Sequence, residues 1–323
     1  MSPRARIALL TLGLVCVGWE VPVPTPQPIT RDIWLIPGGV VPNRQPDGNT
    51  VVFAAPAGLV VMDTGRHEWH RAGILALARD RRQPIVAIVN SHWHLDHVSG
   101  NPALRAQYPH LQVYASNAID GALAGFLPKS AQDEAGLVDD TRYPQETRDD
   151  IREDLLTIQN GAALRPDVVI EHSGKVRIGG RPFEVNLAPH AATSGDVWLY
   201  DEKTRVAAVG DLVTLPVPYL DTACPEGWKK ALAQVAAKPF TTLIPGHGPS
   251  LTREQFVLYR TGFEHFIGCS GTKEECAGEW VGAVRPLLSG GETEAQRAQQ
   301  SAEYYLTMLR ANRGRSPFCE APS

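Results

Sequence analysis

The chain has 323 residues, 43% of them hydrophobic and 20% charged, with a formal net charge of −4. That length supports one large core or two modest domains, and 29 Gly with 26 Pro point to many turns and structured loops rather than a helical bundle. The charge offers no case for nucleic acid, because a phosphate-binding face needs a local excess of Lys and Arg, and no such cluster is seen.

The amino terminus reads as an export signal. Arg4 and Arg6 precede an apolar run over 7–19 that is broken only by Thr11 and glycines. It is shorter than the roughly 20 residues that span a bilayer. Residues 1–20 are therefore expected to be a cleaved signal peptide, with an uncleaved anchor or a buried first helix as the alternatives. No clean Ala-x-Ala site marks the cleavage, and the residues before Cys16 match a lipid-attachment motif poorly. A Pro-rich leader covers 21–31. No further long apolar run occurs, so no stable membrane span is expected after processing. Removing the signal leaves Cys224, Cys269, Cys276 and Cys319, an even number with three possible pairings. A periplasmic or secreted location favours at least one bridge over four buried thiols.

Strands are expected at 50–53 and 59–62, around the Pro56-Ala57-Gly58 turn, followed by a helix over 68–81 and a buried β-branched strand at 85–89. A second helix and strand follow at 102–108 and 111–115. Residues 122–161 are acidic and read as surface helices. They form either a lid or insertion beside the core, or a decorated connection without functional contact. Strands at 168–171, 175–178 and 183–187 come next, then a hairpin of 197–200 with 206–209. A helix at 226–236 leads to a strand at 241–244. The remainder, 253–265, 273–288 and 293–312, is mostly helical.

The strongest local signal is Ser91-His92-Trp93-His94-Leu95-Asp96-His97, directly after the strand at 85–89. Positions two apart on an extended stretch face the same way, so His92 and His94 can approach one metal together. Asp96 and His97 can project to a neighbouring point as the chain turns into helix. Three imidazoles and a carboxylate within six residues would be costly in a core without partners. A metal supplies them, and imidazole and carboxylate are ordinary zinc ligands. None of the cysteines lies near this motif, which argues against a Cys-based site.

Here the sequence closely resembles the metallo-β-lactamase superfamily, whose signature is His-x-His-x-Asp-His after a strand, and the resemblance extends over most of 32–251. Val61-Met62-Asp63-Thr64-Gly65 looks like the family's early Asp-containing turn. His190 stands where a third histidine is expected after a strand. Val209-Gly210-Asp211 looks like the strand-end Gly-Asp pair, and Ile244-Pro245-Gly246-His247-Gly248-Pro249 like the final histidine loop.

The resemblance implies an α+β four-layer αββα sandwich, the metallo-β-lactamase fold, over 32–265, with 266–323 as a helical carboxyl-terminal extension packed on the same domain. It implies that His92, His94 and His190 hold a first metal, that Asp96, His97 and His247 hold a second, and that Asp211 bridges them. Asp63 would position the histidine loop, although a turn cap is an equal reading. Asp196 would either act near His190 or cap a strand. The family pattern His-Thr-x-Gly-Asp differs here, where His190-Ala191-Ala192-Thr193-Ser194-Gly195-Asp196 inserts two residues. A bulged loop is then required to bring His190 to the metal. His67, His70, His110 and His265 have no comparable context and read as surface or structural histidines.

Two Zn2+ ions would bring four positive charges, of which Asp96, Asp211 and a bridging hydroxide would remove three. The residual field can polarise a carbonyl and stabilise an oxyanion. The resemblance thus implies a dinuclear hydrolase in which the bridging hydroxide attacks a small-molecule substrate directly, with Asp96 orienting the nucleophile. Iron or manganese also suits such donors. No Gly-x-Ser-x-Gly elbow suggests a serine hydrolase. The β-lactamases that the chain resembles generally carry Cys or Ser where Asp211 stands, while a bridging Asp looks more like the glyoxalase II, lactonase and phosphodiesterase-like branches. An ester, thioester, lactone or amide is therefore the expected substrate class. A true β-lactamase is one alternative, and a metal-stabilised accessory or binding protein without turnover is another. The sequence does not bear on oligomeric state.

Overall fold

The computed structural model describes residues 21–319; the expected signal peptide at 1–20, Cys16 included, lies outside the described residues. One sheet takes seven strands in chain order: β1 (Gln27–Thr30), β2 (Ile33–Ile36), β3 (Thr50–Ala55), β4 (Gly58–Met62), β5 (Ile85–Val89), β6 (Gln112–Ala115) and β7 (Val168–Val169). The strands from β1 to β4 pair antiparallel, and those from β4 to β7 pair parallel. Parallel neighbours need long crossovers. These crossovers hold α1 (Glu68–Arg81), α2 (Leu95–Val98), α3 (Asn101–Gln107), α4 (Ala118–Ala124), α5 (Phe126–Glu134) and α6 (Gln145–Gln159).

The second sheet contains β8 (Gly174–Ile178), β9 (Arg181–Pro189), β10 (Gly195–Asp201), β11 (Val206–Ala208) and β12 (Thr242–Ile244), hydrogen-bonded in the order β12-β11-β10-β9-β8. Helix α7 (Pro225–Ala236) crosses from β11 to β12. The chain ends in α8 (Arg253–Gly268), α9 (Lys273–Val284) and α10 (Gly291–Ala311).

Alternation along the strands sets the layers. On β3 and β4, Val51, Phe53, Val60 and Met62 face the second sheet, where they meet Phe183, Val185, Val197 and Leu199. The intervening Val52, Leu59 and Val61 face outward against Ile74 and Leu77 of α1. Alternating residues of a strand point to opposite faces, so a strand that is apolar on both faces must be covered on both. Across the second sheet, Trp198, Tyr200 and Ala207 pack with Trp228, Phe263, Trp280 and Leu306 of α7 to α10. The result is the four-layer αββα sandwich. The carboxyl-terminal helices share the core of the second sheet. The bridges Cys224–Cys319 and Cys269–Cys276 tie α10's trailing segment to the start of α7, and α8 to α9.

Two local features differ from the sequence pattern. The Pro-rich leader ends in a strand, because β1 lies at the sheet edge, where Pro28 forfeits no interior ladder bond. The acidic segment is tied to the loops before β3 and α1: Arg44 pairs with Asp150 and Arg66 with Asp154, both on α6. Buried His67 sits between Asp47, 2.7 Å from Nδ1, and Asp150, 3.2 Å from Nε2. Burial pushes His67 down, but hydrogen bonding and charge from Asp150 and Asp47 hold it above the ordinary imidazole value. A raised folded pKa stabilises fully below the unfolded value near 6.5 and is lost as pH rises through the folded pKa. Asp47 and Asp150 are lowered, so their contribution is lost only as pH falls well below neutrality. Protection factors of the α6 amides, with the base-catalysed intrinsic exchange rate divided out, should therefore be higher at pH 6 than at pH 8.5. His67→Gln should flatten that difference, and an unchanged difference would show that His67 does not hold the helix.

Candidate metal centre

The centre lies where several strands end. Beyond β5 the chain bends at Ser91 and His92 and is extended at His94, before the single turn of α2 carries Asp96 and His97. His92 and His94 present their rings side by side, 4.3 Å apart and nearly perpendicular. Asp211 follows β11 and His247 follows β12. Ligand sites commonly lie beyond the carboxyl ends of strands. Two groups of donor atoms result: His92, His94 and Asp211, and Asp96, His97 and His247, with the donors of each within 4.8 Å of one another.

Asp63 organises both groups from beneath. It follows β4 in a left-handed conformation, φ 63°, and is 2% exposed. Its Oδ1 accepts from the Ser91 amide at 2.7 Å; its Oδ2 accepts from Ser91 Oγ at 2.6 Å and from His97 Nδ1 at 2.9 Å. His97 Nδ1 thus holds the proton and Nε2 offers its lone pair. Since Ser91 gives its proton to Asp63, its oxygen accepts from His92 Nδ1 at 2.9 Å, which leaves His92 Nε2 unprotonated as well. His94 is set differently. Thr222 Oγ1 donates to the Ala192 carbonyl at 2.9 Å, so at 3.0 Å from His94 Nε2 it acts as acceptor. His94 then carries its proton on Nε2 and presents Nδ1. Fixing tautomers in this way is how outer partners tune metal-binding imidazoles.

A cation fits this arrangement. His92 Nε2 and Asp211 Oδ1 are buried without a hydrogen-bond partner, and such orphaned atoms are rare in folded proteins. His97 Nε2 and His247 Nε2 point at one another across 3.2 Å. Burial drives His92 well below the ordinary imidazole range and His94 to about 4, so both are neutral at physiological pH. Burial opposes charge at His97 and His247 too, but the carboxylates of Asp211 and Asp96 hold both above the ordinary value. Against the same burial penalty, His97 keeps Asp96 and Asp211 well below the carboxylate range.

Of the seven residues expected as ligands, His92, His94, Asp96, His97, Asp211 and His247 come together, and His190 belongs to neither group. The inserted residues are absorbed in a tight β9–β10 hairpin, where His190 N donates to Ser194 O at 3.2 Å and Ala191 N to Thr193 O at 2.8 Å. His190 takes a left-handed φ of 52° at the start of that turn. Asp196 supports the loop rather than the histidine, since its Oδ2 accepts from the Thr193 amide at 2.9 Å. Burial pushes its carboxyl up to about 7. His67 and His70 are both buried, His70 with Nε2 2.8 Å from Thr50 Oγ1.

The centre opens into a cleft of about 300 Å³. Trp93, Phe126, Leu127, Leu215, Val217 and Tyr219 form its apolar wall, so the 215–219 segment and the acidic segment both reach it. Arg66 and Asp154 meet at its edge, and burial lifts the Asp154 carboxyl to about 6 even against the arginine. Tyr305 arrives from α10. Sequence reasoning missed Thr222, Arg66 and Tyr305, for their roles depend on contacts with distant parts of the chain.

A two-sheet αββα sandwich with paired His/Asp donor groups at its strand ends defines a metal-centre class of protein. The profile of the metallo-beta-lactamase superfamily matches residues 44–247, and the chain belongs to that family. No curated protein gives a significant match. Solved structures share the fold at low identity. A metallo-beta-lactamase from Pontibacter korlensis is 18% identical with a TM-score of 0.54, over 75% of this chain and 99% of that one. FIM-1 from Pseudomonas aeruginosa, a metallo-beta-lactamase described in a mono-zinc form, is 19% identical with a TM-score of 0.54, over 76% and 96%. A double mutant of the sec-alkyl sulfatase PisA1 is 18% identical with a TM-score of 0.58, over 79% of this chain but 45% of its own length.

Proposed function

We propose that this protein is an exported, zinc-dependent hydrolase of an ester, thioester, lactone or amide carrying an apolar group. The observation that carries the reading is the pair of donor groups with Asp211 between them, its two oxygens turned to His92 and to His97 and His247, at an open, apolar-walled cleft. His92, His94, Asp96, His97, Asp211 and His247 would hold the metal. Imidazole and carboxylate donors suit zinc, and the two bridges suit an oxidising compartment. When bound, a divalent cation supplies Lewis-acid polarisation of the scissile carbonyl and makes hydroxide available near neutral pH.

The chain's own part is positioning and proton handling. Asp63, through Ser91 and His97, and Thr222, through His94, hold the imidazoles with their lone pairs turned inward. Asp96, at the cleft floor, accepts a hydrogen from the attacking water and passes the proton towards the leaving group. Trp93, Phe126 and Tyr219 cover the apolar part of the substrate and exclude bulk water. A cleft of about 300 Å³ lies at the small end of ligand sites, which fits a compact acyl group better than a polymer.

The test is turnover of p-nitrophenyl esters, acyl-thioesters, lactones and a chromogenic cephalosporin by zinc-loaded processed protein, with His94→Ala as the blank. Hydrolysis of one acyl class, lost in the blank, supports the reading. Efficient cephalosporin opening in preference to the others would make the protein a β-lactamase. No turnover of any substrate above the blank would favour a binding or accessory role.

A further inference from the structure

Helix α5 presents one stripe to the cleft. Phe126, Ser130 and Glu134 recur at every fourth position, so they share a helix face. All three line the cleft, while Pro128, Lys129, Gln132 and Asp133 between them are exposed. The Phe126 ring begins an aromatic arc around the cavity. It lies 5.3 Å from Trp93, Trp93 lies 4.6 Å from His94, His94 5.0 Å from Tyr219, and Tyr219 5.9 Å from Tyr305.

Glu134 is a charge that this wall does not balance. Among the described residues its one hydrogen-bond partner is Ser130, whose Oγ donates to Oε1 at 3.0 Å, and no Lys, Arg or His pairs with it. Arg66, the one Lys or Arg that lines the cleft, is committed to Asp154 and to the Pro46 carbonyl, 3.3 Å from its Nε. Outside the metal donors, the lining therefore carries Glu134 and Asp154 against a single arginine. Burial first, and then the like charges of Glu134 and Asp150, push the Asp154 carboxyl up to about 6 even against Arg66. A carboxylate beside aromatic rings suits an organic cation, because ring faces attract positive charge within about 6 Å. A primary ammonium would bring three N–H donors to satisfy, whereas most of this lining is rings and aliphatic side chains. A trimethylammonium has no N–H to satisfy and presents methyl groups to the rings.

We propose that the cleft recognises a small substrate carrying a methylated ammonium group, held by Glu134 and the rings of Trp93, Phe126, Tyr219 and Tyr305, with its scissile acyl group at the metal donors. The placing of the acyl group rests on the hydrolase reading; the cation subsite does not, and binding without turnover tests it. Glu134 is then a specificity-determining residue that touches the substrate away from the bond that breaks.

The experiment is calorimetric binding of trimethylammoniobutyrate, and of the neutral isostere in which tert-butyl replaces trimethylammonium, to zinc-loaded processed protein. Hydrolysis of the p-nitrophenyl ester of each acid is measured alongside. The wild type should bind the cationic acid at least about tenfold more tightly than the isostere, a factor in keeping with one partly desolvated contact of a cation with rings and a carboxylate. Glu134→Gln should close most of that gap, with circular dichroism confirming that the variant is folded. A general loosening of α5 would weaken both acids alike and leave their ratio unchanged. Equal binding of the two acids by the wild type, binding of neither, or a preference that persists in Glu134→Gln would each overturn the inference. Preferential binding of the cationic acid without hydrolysis of either ester would leave the subsite standing and count against the hydrolase reading instead.

Discussion

Asp211→Asn should weaken zinc binding at least about 100-fold and reduce hydrolysis in step, while leaving the fold intact. The substitution conserves volume, so little packing is at stake. It removes the one carboxylate whose two oxygens face different donor groups, Oδ1 towards His97 and His247 and Oδ2 towards His92. Losing a partner outside the ligand shell typically costs 10–100-fold in metal affinity, and a direct ligand shared by two groups should cost more.

The same variant carries a proton signature. In the metal-free protein, burial penalises charge on His97 and His247, yet Asp211 and Asp96 hold both pKa values above the ordinary one. Zinc must displace those protons, so binding should release protons and strengthen as pH rises. With Asn at 211, both imidazoles lose their strongest attractive neighbour and their pKa values fall towards the ordinary range. Proton release on binding should then drop. Calorimetry in two buffers of different ionisation enthalpy reads the count directly. Unchanged release in the variant would mean that Asp211 does not set the charge of the imidazoles.

Much of this candidate centre was legible because four of its candidate donors are local. His92, His94, Asp96 and His97 lie within six residues, and a strand followed by one turn of helix suffices to aim them. The strands were legible for a related reason: β5 is a short β-branched run covered on both faces, and α1 ends where charge and backbone both stop it, at Arg81 and the left-handed Arg82. What escaped the sequence is settled by long-range contact. Thr222 is 128 positions from the histidine it orients, and Tyr305 reaches the cleft from the penultimate stretch of the chain. Cysteine spacing could not choose among three pairings, since one bridge spans 95 residues and the other 7. The placement of His190 depended on how a hairpin would absorb two extra residues. That is a question of backbone hydrogen bonds between 190 and 194, which residue type alone does not answer.

The second large effect is expected from a residue with no side chain at all. Gly246 precedes His247 in a loop strapped down by Asn49, whose amide donates to the Gly246 carbonyl at 2.7 Å and whose Nδ2 donates to Pro245 O at 3.0 Å and Gly248 O at 2.8 Å. The Gly246 amide in turn donates to Gly210 O at 2.7 Å and Val213 O at 3.0 Å, so the loop lies flat on the turn that carries Asp211. A Cβ at 246 would meet Asp211 Oδ1 at 1.9 Å, the Gly210 carbonyl carbon at 2.7 Å and the Asp211 amide nitrogen at 2.8 Å. Two of these three are backbone atoms and cannot swing aside. Gly246→Ala must therefore separate the Asp211 turn from the His247 loop, which pulls apart two of the donors. Overpacking of this kind typically costs about 1–3 kcal/mol in stability. The displaced donors should weaken zinc binding by about 100-fold or more, since even outer-partner changes cost 10–100-fold. Gly282→Ala is the control, because a Cβ there meets nothing within 4 Å and alanine is the better helix former. Thermal melts with and without zinc separate the two contributions: the control should melt at or above the wild type, whereas Gly246→Ala should melt lower and gain far less from added zinc. If Gly246→Ala instead gained as much from zinc as the wild type, the two loops would not be jointly holding the metal.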